Sequence, residues 1–361
     1  MNHSTSLPLW AVGAPLAALL ILAGSALNLG AWYAIVSALA LLGGVTAAVH
    51  HAEVVAHRVG EPFGTLLLAM AITVIEVALI VSLMISGGPE AAALPRDTVF
   101  AAVMLILNVM VGLCLLVGGS RFREQTFGPH GVHAALATLT AISMLTMVLP
   151  NYTTTAAGPH YSASQLAFIA VVSLVLYGMF VLVQTVRHRD YFLPPEGERQ
   201  QEGVHAAPPS ARVALLSLAL LLCSLVAVVL LAKGLAPTIE RGVLAMGAPQ
   251  ALVGVIVAIV VLLPEGVAAL QAARSNRLQT SLNLALGSAL ASIGLTIPAV
   301  AMVSLWTGWT LTLGLDAKST VLLIVSLLVA TQSLATGRTT VLHGAVHLVI
   351  GAVYLFTSVV P

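Results

Sequence analysis

The composition of this 361-residue chain excludes a water-soluble globular protein. Hydrophobic residues make up 59% of the sequence and charged residues only 7%, and the mean hydropathy is +1.04. Such a chain has too little polar surface to enclose a soluble core, so the sequence predicts an integral membrane protein. The net charge of +1 and the two cysteines indicate neither a nucleic-acid partner nor a disulfide framework.

Apolar runs along the chain predict an all-α polytopic membrane protein with about 11 transmembrane helices. Each run is bounded by Gly, Pro or charged residues, which mark the ends of spans. Residues 1–6 contain no Lys or Arg, so the first run is expected to be an uncleaved span rather than a signal peptide. The predicted spans are 8–27, 31–51, 64–87, 97–118, 132–150, 164–186, 212–232, 249–272, 280–304, 319–336 and 339–358.

Loop charges predict the orientation of these spans, because Lys and Arg near span ends are retained in the cytoplasm. With a cytoplasmic N-terminus and a periplasmic C-terminus, the outer loops hold only four of the 14 basic residues, Arg96, Lys233, Arg241 and Lys318. The polar segment 187–211, rich in Pro, Glu and Arg, then becomes a cytoplasmic linker loop.

The order of the spans predicts an internal repeat. An extra helix at 1–29 precedes two groups of five spans, 30–186 and 212–361, on either side of the linker. In each group the second helix follows a Gly-x-Pro turn, Gly60-Glu61-Pro62 or Gly247-Ala248-Pro249, and contains one central glutamate. Since five is odd, the groups are predicted to run in opposite directions, and inverted repeats of this kind place a transport site near the midplane.

Two carboxylates, Glu76 and Glu265, lie in the middle of apolar runs with no Lys or Arg close to them in sequence. A charge at the bilayer centre costs at least about 2.5–3.5 kcal/mol on insertion scales. Such acids either stay protonated or are neutralised by an imported cation, and alternation between these states exchanges protons for cations. The competing interpretation is a pair of permanently protonated glutamates that donate interhelical hydrogen bonds.

Polar residues on the apolar runs extend this candidate site. Thr73 lies one turn before Glu76, and Pro264 directly before Glu265 predicts a broken helix with freed carbonyls. Asn283, Gly287, Ser288 and Ser292 are predicted to share a face of the ninth span. Oxygen ligands of this kind suit hard cations. The candidate cation- and proton-binding residues are Glu76, Glu265, Thr73, Asn283, Ser288, Ser292 and Asn108, with the two glutamates as metal ligands.

Histidines form a second cluster. His50, Glu53 and His57 lie at three- and four-residue spacing near the cytoplasmic end of the second span, and His343 and His347 share a helical face. Neighbouring His and Glu relay protons or bind zinc, so His50, Glu53 and His57 are candidates for a proton relay or for regulation. The spacing is not the H-E-x-x-H of zinc proteases. The sequence predicts no enzyme, and an intramembrane metalloenzyme built on this cluster is a minor alternative.

Longer motifs surround these residues. They include His51-Ala52-Glu53-x-x-Ala56-His57-Arg58, Ile75-Glu76-Val77, Arg96-Asp97-Thr98, Pro264-Glu265-Gly266, Asn283-x-x-x-Gly287-Ser288 and Thr336-Gly337-Arg338-Thr339. Through them nearly the whole chain resembles the calcium/cation antiporter superfamily, and within it the bacterial ChaA-type calcium (sodium)/proton antiporters.

The resemblance implies one N-terminal helix plus two inverted five-helix repeats, with cation and protons bound by the acids at Glu76 and Glu265. It implies a bacterial inner-membrane antiporter that exports calcium, with sodium or potassium as further candidate cations, in exchange for protons by alternating access. The expected partners are these ions, protons and membrane lipid, with no cofactor besides the transported ion and no signal for an oligomeric state. The calcium-exchanger branch usually has Gly-Asn-Ala-x-Glu at both sites, whereas Thr73 and Leu262 precede the acids by three residues here. The cation therefore stays open, and a cation channel or passive permease using the same acids is the alternative.

Overall fold

The computed structural model describes residues 7–25, 30–60, 63–193, 209–247, 249 and 251–360. Contacts within the chain divide it into two compact units. The first unit comprises Met1–Ser86 and His205–Gly247, and the second comprises Gly87–Val204 and Ala248–Pro361. Glu61, Pro62 and Ala248 of the predicted Gly-x-Pro turns, and residues 194–208 of the predicted linker loop, lie outside the described residues.

Helices account for most of the described chain. The α-helices are α1 Leu9–Gly24, α2 Ala31–Val59, α3 Phe63–Gly87, α4 Leu94–Met104, α5 Val111–Phe122, α6 Pro129–Ser143, α7 Ala163–Leu182, α8 Ala211–Ala245, α9 Ala251–Arg274, α10 Leu278–Thr307, α11 Ala317–Ser333 and α12 Val341–Val359. Short π-helical segments follow three of them at Leu105–Met110, Met144–Val148 and Val183–Arg187, and 3-10 turns lie at Gly88–Ala91, Leu149–Tyr152 and Arg189–Tyr191.

The eleven predicted spans all fall on these helices, which confirms the predicted fold class. Among the described residues, eight helical stretches are long and apolar enough to cross a membrane, and three shorter ones are apolar. The fourth span is a single stretch, Leu94–Phe122, in which the π segment Leu105–Met110 joins α4 to α5. The inverted repeat and its boundaries stay a prediction.

The seventh helix is longer than its predicted span of 212–232. Helix α8 continues through Pro237 to Ala245 and contains 35 residues. At 1.5 Å per residue it is roughly 52 Å long, well beyond the roughly 30 Å of a hydrocarbon core. Its last turns carry Lys233, Glu240 and Arg241, and Arg241 donates from Nε to the Pro237 carbonyl at 3.0 Å. The helix is therefore longer than a single membrane crossing requires, and the predicted span end at 232 stays a prediction.

The predicted break at Pro264 is wrong. Residues Ala251–Arg274 form one continuous helix, α9, with Pro264 inside it. Proline has no N–H and therefore withholds a hydrogen bond from the carbonyl four residues earlier, Val260. The cost is confined to that turn, and the regular turns on both sides keep the helix intact.

Close helix packing in the second unit depends on glycines. A Cβ atom at Gly344 of α12 would lie 2.7 Å from Leu116 Cα and 2.8 Å from the Gly112 carbonyl oxygen on α5. A Cβ atom at Gly112 would in turn lie 3.1 Å from His347 Cβ. The two helices therefore meet backbone to backbone, a packing mode typical of membrane helices.

A two-stranded antiparallel ribbon, β1 Glu124–Thr126 and β2 Arg338–Thr340, connects the ends of α5 and α12. Gln125 of β1 is buried and donates from Nε2 to the Ala273 carbonyl at 3.1 Å and to Asn276 Oδ1 at 2.9 Å. These bonds satisfy acceptors at the C-terminus of α9. The ribbon thereby fixes the end of the helix that carries Glu265.

In the first unit, α2 packs against α1 and α8. A Cβ atom at Gly44 would lie 3.0 Å from Val228 Cγ2, so α2 and α8 also approach closely. His51 Nε2 hydrogen-bonds with the Ala11 carbonyl at 2.8 Å, and the Tyr33 hydroxyl donates to the Ile21 carbonyl. These bonds tie α1 to α2.

We expect Gly344→Ala to lower the melting temperature of the detergent-purified protein, because the added methyl group has to push α12 away from α5. Overpacking of this kind costs about 1–3 kcal/mol. The matched control is Gly178→Ala on α7, where a Cβ atom would meet nothing within 4 Å. Equal melting temperatures for the two variants would contradict the backbone contact.

Candidate functional site

Glu265 is the best-defined element of the site. It lies on α9 with only 7% of its surface exposed, and the Ser288 hydroxyl of α10 donates a hydrogen bond to Glu265 Oε2. Its neighbour Gly266 faces the π segment, where a Cβ atom would lie 3.5 Å from Met110 Cε. The carboxylate is therefore enclosed between α9 and α10 and is held by a neutral hydroxyl.

Two further hydroxyl-bearing residues follow Ser288 along α10. Ser292 lies one turn after Ser288 and Thr296 one turn after Ser292, so the three residues share one face. Ser292 and Thr296 are buried, and the Thr296 hydroxyl has no hydrogen-bond partner among the described residues. Carboxylate and hydroxyl oxygens on one face are ligands suited to a hard cation.

Glu76 and Thr73 belong to α3 in the first unit. They lie one turn apart and are 4% and 3% exposed. The structure thus places the acid and the hydroxyl on the same buried face of α3, as their spacing predicts. The first unit therefore also pairs a buried acid with a hydroxyl group. Here both groups lie on one helix, whereas Glu265 and Ser288 of the second unit lie on two.

Asn283 does not share the face of Ser288, so that expectation is wrong. Five residues correspond to about 140° around a helix, which separates the two side chains. Asn283 Nδ2 donates to the Phe192 carbonyl at 2.6 Å, and Asn283 Oδ1 accepts from Gln279 Nε2 at 2.9 Å. The Nδ2 end of the amide therefore anchors the chain that follows α7, while the Oδ1 end bonds to Gln279 within α10.

Phe192 itself is buried against α6 and α7. Its ring makes an edge contact with Phe180 at 5.7 Å between centroids, and Gly131 leaves room for it. Phe192 and Asn283 lie close to Gly287, the residue beside Ser288, around a space too small for a water molecule. The anchor made by Asn283 is thus packed near the serine that bonds to Glu265.

Asn108 lies in the π segment and is fully buried. Its Nδ2 donates to Ser326 Oγ on α11 at 2.9 Å and to the Met104 carbonyl at 3.1 Å, while Oδ1 has no hydrogen-bond partner in the described structure. The structure therefore directs this predicted site residue towards α11.

The histidine cluster on α2 is dispersed. The His50 ring packs on Trp10 and on His51, with centroid distances of 5.0 and 5.7 Å, and Nε2 is buried without a hydrogen-bond partner among the described residues. Glu53 and His57 are exposed. Within the described ranges, no three His, Cys, Asp or Glu side chains are grouped so as to hold a metal ion. The geometry gives no support to a metalloenzyme.

A cavity of about 180 Å³ opens at the predicted outer end of the second unit, beside Arg96, Asp97 and Asp316. Arg96 pairs with Asp97 at 2.7 Å, and Asp316 accepts from the Ser319 N–H at 2.7 Å and caps α11. Burial raises the pKa of Asp316, but the Ser319 hydrogen bonds and the charges of Lys318 and Arg96 outweigh it. The pKa of Asp316 therefore lies below its ordinary value, and the cavity carries fixed charges of both signs.

Sequence patterns give little indication of two further polar contacts. Gln279 of α10 accepts a hydrogen bond from the N–H of Gly128, the residue before α6, at 2.7 Å and donates one to Asn283. Ser333 Oγ hydrogen-bonds with His347 Nε2 at 2.8 Å. For the Ser333–His347 contact, the sequence offers only the shared face of His343 and His347, because Ser333 lies on another helix.

Comparisons with known proteins agree with this architecture. The family model for "Sodium/calcium exchanger protein" matches residues 29–186 and 216–360. The solved structure of native YfkE superimposes with a TM-score of 0.73 at 18% sequence identity, covering 98% of this chain and 100% of that chain. At this identity the likeness shows the fold alone.

Two curated relatives extend over most of the chain. The "Putative ionic transporter y4hA" of Sinorhizobium fredii (strain NBRC 101917 / NGR234) is 52% identical over 327 residues, which cover 91% of this chain and 88% of that protein. The "Sodium-potassium/proton antiporter ChaA" of Escherichia coli (strain K12) is 37% identical over 326 residues, covering 89% of this chain and 88% of that protein. The chain is therefore a multi-pass membrane transporter that belongs to the sodium/calcium exchanger family and, within it, to the ChaA-type antiporters.

Proposed function

We propose that this protein is a cation/proton antiporter of the bacterial inner membrane that exports calcium, sodium or potassium, has no enzymatic activity and needs no cofactor besides the transported ion. The observation that carries the proposal is the Glu265–Ser288 pair, a buried carboxylate that accepts a hydrogen bond from a neutral hydroxyl. The name of the Escherichia coli relative, a sodium-potassium/proton antiporter, supports cation exchange.

The chemistry of the pair explains how one site serves two ions. A serine hydroxyl both donates and accepts hydrogen bonds. It donates to the ionised carboxylate and accepts from the protonated acid. With the carboxylate ionised, a cation supplies the missing charge, and with the acid protonated no cation is needed. A buried carboxyl group therefore holds either a proton or a cation, which couples the two flows.

In the proposed cycle Glu76 and Glu265 bind a cation from the cytoplasm, release it outside and return protonated. The inward proton gradient drives the cycle. Glu76 is included because it is as deeply buried as Glu265 and has a hydroxyl, Thr73, one turn away. The predicted inverted repeat supplies the two alternating states.

The oxygens near Glu265 bear on the choice of cation. Calcium takes six to eight oxygen ligands. On α9 the position three residues before Glu265 is Leu262, and Asn283 is engaged with Phe192 and Gln279. This half of the site therefore lacks the asparagine oxygen of the calcium-exchanger motif beside Glu265, which favours sodium and potassium alongside calcium.

We expect Glu265→Gln and Glu76→Gln each to abolish cation-induced proton movement in everted vesicles that contain a pH-reporting dye. Glutamine keeps the size of the side chain but cannot alternate between charged and protonated forms. The matched control is Glu124→Gln, since Glu124 is an exposed residue that pairs with Arg338 at 3.4 Å. Exchange at the unmodified level in either variant would refute the assignment.

Ser288→Ala is expected to raise the cation concentration needed for half-maximal exchange by about tenfold or more, because hydrogen bonds to charged groups contribute about 1.5–3 kcal/mol. Ser288→Thr keeps the hydroxyl and should behave like the unmodified protein. Titrations with calcium, sodium and potassium in the same vesicles measure both the effect and the preferred cation. An electrical current without proton movement would instead identify a channel or permease.

The predicted orientation places the C-terminus in the periplasm. A fusion of alkaline phosphatase after Pro361 should therefore be active in intact cells, and a fusion of green fluorescent protein at the same site should be dark. The opposite result would reverse the orientation and make the cavity beside Asp316 cytoplasmic.

A further inference from the structure

The Arg96-Asp97-Thr98 motif has no role in the proposed carboxylate site. Its first two residues line the cavity of about 180 Å³ at the predicted outer end of the second unit. One water molecule needs roughly 10–15 Å³ of such space, so the cavity is large enough for several. At the predicted inner end of the same unit, the space around Phe192 and Asn283 is too small for a water molecule. Of these two spaces, only the outer one admits water.

The cavity lies where the outer ends of four helices meet. It is lined by α4, α9, α11 and α12, through residues that include Phe100, Val255, Leu322 and Tyr354. Phe100 and Tyr354 make an edge contact with 5.5 Å between ring centroids, which joins α4 to α12. A Cβ atom at Gly254 would lie 2.9 Å from the carbonyl carbon of Asp97, so α9 also approaches α4 closely. One wall of the cavity therefore belongs to the helix that carries Glu265.

Val255 relates the cavity to Glu265 through one side of α9. Val255, Ala258, Leu262 and Glu265 follow one another at three- and four-residue spacing, so they form a continuous stripe along the helix. All four residues are buried. The stripe is about 15 Å long at 1.5 Å per residue. An ion that moves outwards from Glu265 along this stripe reaches the cavity, and the side chains of Ala258 and Leu262 close the way in this structure.

The charged groups at the cavity suit the passage of a cation better than its retention. The lining contains two acidic and two basic residues. Arg96 donates from Nε to Asp97 Oδ1 at 2.8 Å and from Nη1 to the Gly314 carbonyl at 3.0 Å. Lys318 Nζ donates to the Thr357 carbonyl at 2.8 Å. Both basic groups are held by oxygens of the protein, and the balanced charges neither repel nor trap a passing cation, as an ion pathway requires.

We propose that this cavity is the outer vestibule of the antiporter, through which the exported cation leaves Glu265 and protons reach it. Displacement of Ala258 and Leu262 opens the way between the vestibule and the carboxylate. The proposal rests on the proposed function, because it assigns lining residues to the outward-facing half of the same cycle. It also gives the Arg96–Asp97 pair a role, since Asp97 compensates the charge of a guanidinium group at the wall of the vestibule.

The test uses introduced cysteines in a protein whose two native cysteines, Cys114 and Cys223, are replaced by alanine. Val255→Cys places a thiol at the cavity. Right-side-out vesicles with a pH-reporting dye inside are treated with a membrane-impermeant, positively charged methanethiosulfonate. We expect the thiol of Val255→Cys to react and cation-induced proton movement to fall at least tenfold relative to the same variant without reagent, because the attached group blocks the vestibule.

The matched control is Val253→Cys. Val253 and Val255 are each 3% exposed, but two residues along a helix point in nearly opposite directions, and Val255 is the one that lines the cavity. We expect the thiol of Val253→Cys to stay unmodified and its exchange to be insensitive to the reagent. Thr357→Cys on α12 gives a second thiol at the cavity, and its own hydroxyl bonds to carbonyls of α12 itself.

Three results would overturn the proposal. Modification of Val255→Cys and Thr357→Cys without loss of exchange would show that the cavity is off the ion pathway. Absence of modification at both positions would show that the cavity is not open to the outside, and modification only in everted vesicles would place it on the cytoplasmic side. A cysteine-free protein that does not couple cation and proton movement would instead refute the proposed function.

Discussion

A carboxyl group buried in an apolar interior has to be protonated or paired, and the organisation of the second unit follows from how Glu265 meets this requirement. It accepts a hydrogen bond from a hydroxyl on the adjacent helix, Ser288, a group that serves as donor or acceptor. A lysine or arginine in the same place would hold the acid permanently ionised. The neutral partner leaves the charge of the site to be set by whichever ion enters.

That arrangement needs helices that are close together and firmly held. Glycines bring α5 and α12 into backbone contact, and Gln125 in the β-ribbon fixes the end of α9. The π segment between α4 and α5 then lies beside Gly266 of α9 on one side and Gly351 of α12 on the other. Within this segment Asn108 hydrogen-bonds with Ser326 of α11.

Much of this could be predicted from sequence, because bilayer thickness imposes a length on every span and burial of a charge is costly. The eleven spans, the burial of Glu76 and Glu265, and the position of Thr73 one turn from Glu76 are all read from local patterns. Prediction was least successful at a helix-breaking proline, because a proline either ends a helix or is accommodated within it. Pro264 remains within α9, because the turns on both sides supply enough hydrogen bonds.

Asn283 shows the limit of reasoning from residue type. An asparagine near a buried acid is a plausible ligand by chemistry, yet its neighbours along α10 do not reveal what lies opposite. In the fold it faces Phe192, which is distant in sequence, and both ends of its amide are occupied. The same limitation applies to the Ser333–His347 pair, which joins two helices.

The sequence by itself determined the membrane class, the number of spans and the two buried acids, since these depend on composition and on periodicity within one helix. Only the tertiary structure decided which side chain each acid and histidine contacts. Those contacts depend on the rotation and separation of helices, which glycines and the π segment control. Ser288 reaches Glu265 and Ser333 reaches His347 because of that packing. No pattern within a single helix specifies it.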